Sequence, residues 1–416
     1  MIIERLFSAT NQAPPPPVPA KAQPGQLYPN IRQDWTPTKS KQIVNEDSAK
    51  RIATAYRCAN TISDDIGMMP LQVFNRFREK ITRIYPDPVL RNTSYLLEKH
   101  PNRWMTPFIW KKTIVNWLQF WGNAYVWQPP GPFRELFILP ASSTYPMLDE
   151  NGNKWYATTW PNQQKDLIPD VEMAHLMINS KNGLIGQSML SYARETLGRQ
   201  QAAHETQDSL SGNGLNPTAA IYMAGEISPP ARDAVRDTYI KASEKGAVVF
   251  DNKVTKFETV TMKPVDAQFL EGIAATDADI ANFFNFPLHK LNMGKQSYES
   301  NEQQELNYIH SALNPNLIQV EQEGGLKWLA EVDQPYVYIK FNRDSILQTD
   351  TKTRSEIIKN RIQSGIMTPN EALQVEDQNG YAGGDSHYMP SNIGMVQADG
   401  SILGGTPTGA PGENGQ

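Results

Sequence analysis

Cysteine is almost missing from the chain: Cys58 is the single one in 416 residues. That excludes a disulfide within the chain and any zinc site built from several thiolates. Long apolar runs are missing too. No stretch approaches the ~20 apolar residues of a membrane helix. Even the window Trp110–Trp127 is interrupted by Lys111, Lys112, Asn116 and Gln119. The opening MIIERLFSATNQAPPPP has too short an apolar run for a secretory signal. We therefore expect a soluble protein with no membrane contact. A basic excess is also lacking: 39 Lys and Arg face 44 Asp and Glu, a net charge of -5. A protein that coats nucleic acid usually carries a large positive surplus. The balance argues against such a coat, though not against handling nucleic acid without gripping it.

Catalytic motifs are lacking as well. The segment NMGKQS has a Gly-Lys pair, but it lacks the earlier glycine and the hydroxyl residue that a phosphate-binding loop needs. The six histidines (100, 175, 204, 289, 310 and 387) are dispersed, and none pairs with another at metal-ligand spacing. Each reads as a surface or locally hydrogen-bonded imidazole. GLIGQS is no nucleophile elbow; Gly183 and Gly186 read as a turn, with Ser188 capping the helix that follows. Cys58 reads as a small buried hydrophobe. Asp64 and Asp65 are adjacent on a helix and point about 100° apart, so a solvated helix end is favoured over a metal pair. No enzyme and no cofactor are expected.

What is present reads as an α+β chain of about two or three domains or one elongated subunit. Helices are expected over 47–68 (capped by Asp47 or Ser48), 92–100, 106–121, 187–211 and 228–245. More follow from Val265 to Pro287, from Asn301, over 350–364, and after a Thr368 cap. Strands are expected at LQVFNRF, AYVWQ, LFILP, STYPML, KWYATTW, TAAIYMA and YVYIKFN, with GAVVFDN pairing to VTKFETVTM. The proline-rich 8–40 and the glycine-rich 379–416 are expected to be flexible or to order on a partner.

Two clusters stand out. Trp104, Phe108, Trp110, Trp117, Phe120, Trp121, Tyr125 and Trp127 read as core or subunit interface rather than a base-stacking platform, because little but Lys111-Lys112 accompanies them. From Asp266 to Pro287 the chain carries Asp266, Glu271, Asp277 and Asp279 and no Lys or Arg. Asp266 and Asp277 lie eleven apart, near three helical turns, and so share a face. That face is either simply solvated or a lining that repels a polyanion.

Collinear passages then resemble a family. They are TAYRCANTISDDIGMMPLQVF, LLEKHPNRWMTPFIW with WLQFWGNAYVW, FILPASSTYPM and IPDVEMAHLMINSKNGLIGQSMLSYAR. DAQFLEGIAATDADIANFFNFPLHKLN, YESNEQQELNYIHSALNPNLIQVE and GIMTPNEALQVED followed by GGD complete the series. Together they resemble phage portal proteins of the compact Hong Kong phage type over about residues 45–390. Leu373 stands where that family often has arginine, and Leu288 where a second proline often follows.

The resemblance implies an elongated α+β subunit with wing, long stem helices, a small α/β clip and a helical crown. It implies a flexible N-terminus over 1–44, a wing over 45–187, and stem helices 188–212 and 264–287. The clip would be 213–263, the channel loop 288–300, a channel helix and return to the wing 301–349, and the crown 350–378, before a tail over 379–416. It implies a homo-oligomeric ring, typically of twelve copies, at a capsid vertex of the virion, assembled in the host cytoplasm. Double-stranded DNA would pass through the channel in packaging and ejection. Terminase, whose large subunit hydrolyses ATP, the major capsid protein and a head–tail adaptor would be partners. Asp266, Glu271, Asp277 and Asp279 would line the channel. Lys290, Met293, Gly294, Lys295, Gln296 and Tyr298 would form its loop, and Arg232, Arg236, Lys241 and Lys245 would meet terminase or adaptor. The competing readings are another virion structural protein (minor capsid or adaptor) and a hydrolase using Asp64, Asp65 and His175.

Overall fold

The computed structural model describes residues 37–77, 80–131, 134–212, 218–223, 228–230, 232–234, 237, 254–260, 276–292, 301–346, 351–376, 378–387, 395–396 and 402–403. The chain divides into two compact units, Met1–Asn342 and Arg343–Gln416.

In the first unit, the expected first helix is two. Helix α1 spans Glu46–Lys50 and α2 spans Ala53–Met68. Asn45, not Asp47 or Ser48, caps α1: its side chain accepts from the Ser48 N–H, and the Ser48 hydroxyl accepts from the Asn45 N–H. Extended Ile52 separates the helices. Strands β1 (Leu71–Phe77) and β2 (Lys80–Ile84) form a hairpin, and β11 (Val337–Phe341) joins β1 antiparallel on its other side. Alternation along β1 buries Leu71 and Val73 against Ile339 and Phe341. Helix α3 (Thr93–Glu98) and helix α4 (Pro107–Trp121) follow; Thr106 caps α4 and Gly122, at φ +72°, ends it.

Six further strands complete two sheets: β3 (Asn123–Trp127), β4 (Phe137–Leu139), β5 (Thr144–Leu148), β6 (Lys154–Thr159), β7 (Lys165–Pro169) and β8 (Met173–Met177). The orders are β4-β3-β8 and β5-β6-β7. Gly152, at φ +82°, turns the β5–β6 hairpin. Tyr125, Leu139, Tyr156, Ile168 and Met173 form a core between these sheets. Helix α5 spans Met189–Gly212, and Ser188 caps it by accepting from the Ser191 N–H. Strand β9 (Thr218–Met223) pairs with β10 (Val254–Val260); the strand expected at GAVVFDN lies outside the described residues. Helix α6 covers 276–283. Helix α7 (Asn301–Tyr308) runs through a π-helical turn, Ile309–Leu313, into helix α8 (Asn314–Lys327).

The N-terminal boundary also differs from expectation. Residues 38–42 form a turn against α5, where the Lys39 N–H donates to Glu195 and the Gln42 amide to Glu205. Gly198 makes room for it, since a Cβ there would lie 2.6 Å from Thr38 Oγ1.

The second unit holds α9 (Thr351–Gln363) and α10 (Pro369–Val375), the latter closed by a Thr368–Glu371 capping box. The glycine-rich segment is not wholly the loose tail expected. Asn370 accepts from the Tyr381 N–H and donates to the Tyr381 carbonyl and to Asp385. Gly380 and Gly384 pack so closely on Asn370 that a Cβ at either would lie within 2.9 Å of it. Strands β12 (Met395–Val396) and β13 (Ile402–Leu403) pair beyond.

Candidate functional site

Helix α6 and the residues after it gather what the sequence singled out. Ile280, Ala281, Phe284 and Phe286 are buried, so one side of this segment is core. Phe284 meets Phe120 of α4 edge-on at 6.3 Å, and Phe286 meets Tyr308 of α7 at 5.6 Å. Asn285, at φ +52°, ends the helix, and its amide donates to the Ser311 carbonyl in the π-helical turn at 2.6 Å. A π turn offers carbonyls outside the α ladder, and here a side chain satisfies one.

Asp277 departs from expectation. It is half-buried, and its Oδ1 accepts from Thr54 Oγ1 of α2 at 2.5 Å and from Gln200 Nε2 of α5 at 2.7 Å. It ties three helices together rather than standing on an open wall. Asp279, two residues on, sits about 200° around the helix and is exposed. Asp266 and Glu271 lie outside the described residues. Beside this joint Cys58 is fully buried, and burial pushes its thiol up to about 12. An inert packing role follows.

Lys290 also differs from a free loop cation. Its ammonium lies 3.0 Å from Glu305 of α7 and 4.4 Å from the Tyr308 ring centre. The Tyr308 hydroxyl donates to Asp65 at 2.7 Å, and burial holds the Asp65 carboxyl above the usual range. Asp64 instead pairs with Lys112 at 2.5 Å. The adjacent carboxylates thus serve different partners, and the solvated end expected for both is wrong for Asp65. Met293, Gly294, Lys295, Gln296 and Tyr298 lie outside the described residues, as do Arg236, Lys241 and Lys245; Arg232 is exposed.

The third element is a dry node that sequence reasoning missed. Asn123 fills its hydrogen-bonding capacity: Oδ1 accepts from the Gly186 N–H (2.7 Å) and faces His175 Nε2 (2.9 Å), while Nδ2 donates to the Trp121 and Gly186 carbonyls. His175 is 1% exposed and stacks on Tyr125 at 4.4 Å. Burial holds its imidazole well below its ordinary pKa, and nearby Lys154 adds to this. Gly186 is required by crowding, since a Cβ there would lie 2.0 Å from the Gly122 carbonyl oxygen. The only signal in the sequence was the pair Gly122-Asn123 and Gly186, which carries no trace of their contact.

Asp64, Asp65 and His175 are not brought together as a catalytic group. His175 engages Asn123, whereas Asp65 faces Tyr308. Among the described residues no group of three or more His, Cys, Asp or Glu could hold a metal ion, and no helix is long and apolar enough to cross a membrane.

Comparison with known proteins identifies this arrangement. The family model described as phage portal protein matches residues 53–377. The portal protein of Enterobacteria phage HK97 is 24% identical over 366 residues, covering 83% of this chain and 84% of that protein. A probable portal protein of Streptomyces phage phiC31 is 28% identical over 221 residues, 51% of this chain and 48% of that protein. The fold is similar to an HK97-family phage portal protein from Corynebacterium diphtheriae, with TM-score 0.56 at 15% identity over 74% of this chain and 99% of that one. It is also similar to a chain in the virion of a native gene transfer agent particle, with TM-score 0.52 at 17% identity over 83% of this chain and 95% of that one. With more than half its length matched, the chain belongs to the phage portal protein family.

Proposed function

We propose that this portal protein assembles into a ring, of twelve copies, whose central channel conducts double-stranded DNA during packaging and ejection. The observation that carries the reading is the family match across residues 53–377. The neck of a native gene transfer agent particle, computed with C12 symmetry, contains a chain of similar fold at TM-score 0.50, which supports the twelvefold count. On this reading the wing is 45–187 with 325–349, the stem 188–212 and 264–287, the clip 213–263, the channel loop 288–300 and the crown 350–378. Terminase would dock on the clip first and a head–tail adaptor afterwards, with Arg232, Arg236, Lys241 and Lys245 in the contact. The major capsid protein would surround the ring at the vertex.

A channel must let a polyanion slide at every register. Each Lys or Arg on a phosphate displaces counterions and adds affinity, so a conduit keeps such contacts few. The packing of α6 revises which acids would do this. If the helix runs unbroken from Asp266, that residue falls within about 20° of the Asp277 face, which is turned into the subunit. Glu271 and Asp279 fall about 80° apart on the other side and are the better wall. Lys290, held by Glu305, would reach DNA only on leaving that ion pair, and the loop residues Lys295 and Tyr298 would touch it first. Energy for packaging comes from terminase. Purified protein should therefore show neither ATPase nor nuclease turnover, and turnover that persists through repurification would overturn that part of the reading.

A further inference from the structure

One surface feature is unused by the portal reading. Four aromatic rings run in a row across the β3–β4 edge: Trp104 to Phe137 at 5.0 Å, Phe137 to Trp127 at 6.3 Å and Trp127 to Trp160 at 6.0 Å. Trp104 is 74% exposed. Its posture is imposed by the fold, because Asn102, 1% exposed, accepts from the Trp104 and Met105 N–H groups and donates to the Leu136 carbonyl. Trp127 and Trp160 are fixed too, donating their indole N–H groups to Glu172 (3.0 Å) and Asp166 (2.6 Å). Arg103 lies over Phe137 and is held there by Glu135 at 2.6 Å. The Trp104 indole N–H has no hydrogen-bond partner among the described residues. A rigid aromatic row with one open N–H donor is the surface that recognises polyproline: rings stack on the pyrrolidine faces, and the donor meets a carbonyl of a backbone that forms no internal hydrogen bonds.

We infer that this row is the docking site for the chain's own proline segment, Ala13-Pro14-Pro15-Pro16-Pro17-Val18-Pro19-Ala20. Consecutive prolines favour the polyproline II helix, which rises about 3.1 Å per residue. Two residues advance about 6.2 Å, close to the ring spacings of 5.0, 6.3 and 6.0 Å. Four rings thus match the eight residues of the segment, one ring per dipeptide. Reach is sufficient. The described chain begins at Pro37, and the intervening residues extend up to roughly 55 Å, so the segment can dock on its own subunit or on a second copy. The ordering entropy is small, because proline restricts the free segment beforehand. This inference does not depend on the DNA-channel reading.

The test uses the full chain and a fluorescein-labelled Ala13–Ala20 peptide. In a variant carrying Pro14→Ala, Pro15→Ala, Pro16→Ala and Pro17→Ala the row is vacated, and the peptide should raise the anisotropy saturably. The native chain, whose own segment competes, should bind the peptide at least tenfold more weakly. Adding Trp104→Ala to the vacated variant should weaken binding at least tenfold. Trp104→Phe, which keeps a ring and loses the donor, should fall between and guards against a folding defect. No binding to the vacated variant, binding untouched by both Trp104 substitutions, or equal binding to native and vacated chains would each overturn the inference.

Discussion

The node around Asn123 and the root of the loop around Lys290 are both polar clusters that hold a long helix, yet they are built differently. At the node every partner is neutral or neutralised. An amide, two glycine backbones and a buried imidazole lock together out of contact with water. At the loop root the groups are charged and wet: the Lys290 and Glu305 side chains are 23% and 44% exposed. Neutral, dry, saturated bonds are costly to break because each lost partner leaves a buried polar group unpaired. Exposed ion pairs contribute little and are screened by salt. The first is an anchor that sets where α5 leaves the sheet. The second is a latch whose release costs about 1 kcal/mol or less.

That contrast can be broken in order. Gly186→Ala has the largest expected effect. Its new Cβ would lie 2.0 Å from the Gly122 oxygen and 2.7 Å from that of Ile178, so backbone must move, at about 3 kcal/mol or more. Loss of soluble protein or a Tm drop of many degrees is expected, and a native-like Tm would dissolve the anchor. Asn123→Ala should cost about 2–4 kcal/mol by stranding His175 and Gly186, read from urea unfolding.

The imidazole makes a pH prediction. The folded pKa of His175 lies well below its ordinary value of 6.5, so the folded state binds fewer protons than the unfolded one as pH falls beneath about 6.5. Its contribution is intact above that pH and is lost below it, at up to about 1.4 kcal/mol per pH unit. His175→Gln should flatten the slope of unfolding free energy between pH 6.5 and 4.5 by about one proton, and an unchanged slope would contradict a neutral buried imidazole.

Asp277→Ala should cost about 2 kcal/mol, since Thr54 and Gln200 lose their shared acceptor, whereas Asp277→Asn should recover part of it. If both variants unfold like the native chain, the three-helix joint is not what holds α6. Lys290→Ala should have the smallest effect, under about 1 kcal/mol and smaller still in high salt.

Much of the architecture was legible because it rests on local chemistry. Thr106 and Thr368 cap the expected helices, Gly122 ends α4, and the Asn151-Gly152 hairpin forms where turn residues interrupt alternating strands. What stayed hidden depends on contacts far apart in sequence. The acid pattern from Asp266 onward was visible, but which face packs was not. Asp277 turns inward because Thr54 and Gln200 await it, 223 and 77 residues away. Lys290 looked like a loop cation because Glu305 and Tyr308 stand on the far side of the loop. The glycines at 380 and 384 looked like linker composition, whereas they permit close approach to Asn370. The aromatic cluster split by the same logic: Trp110, Phe120 and Tyr125 are core, while Asn102 holds Trp104 out.

Imaging the purified full-length protein by electron cryomicroscopy tests the central claim most directly. The account predicts closed rings with a central channel, Asp279 of every copy on the inner wall and Asp277 inside each subunit. Particles without a central hole, or rings that carry Asp279 on their outer surface, would contradict it.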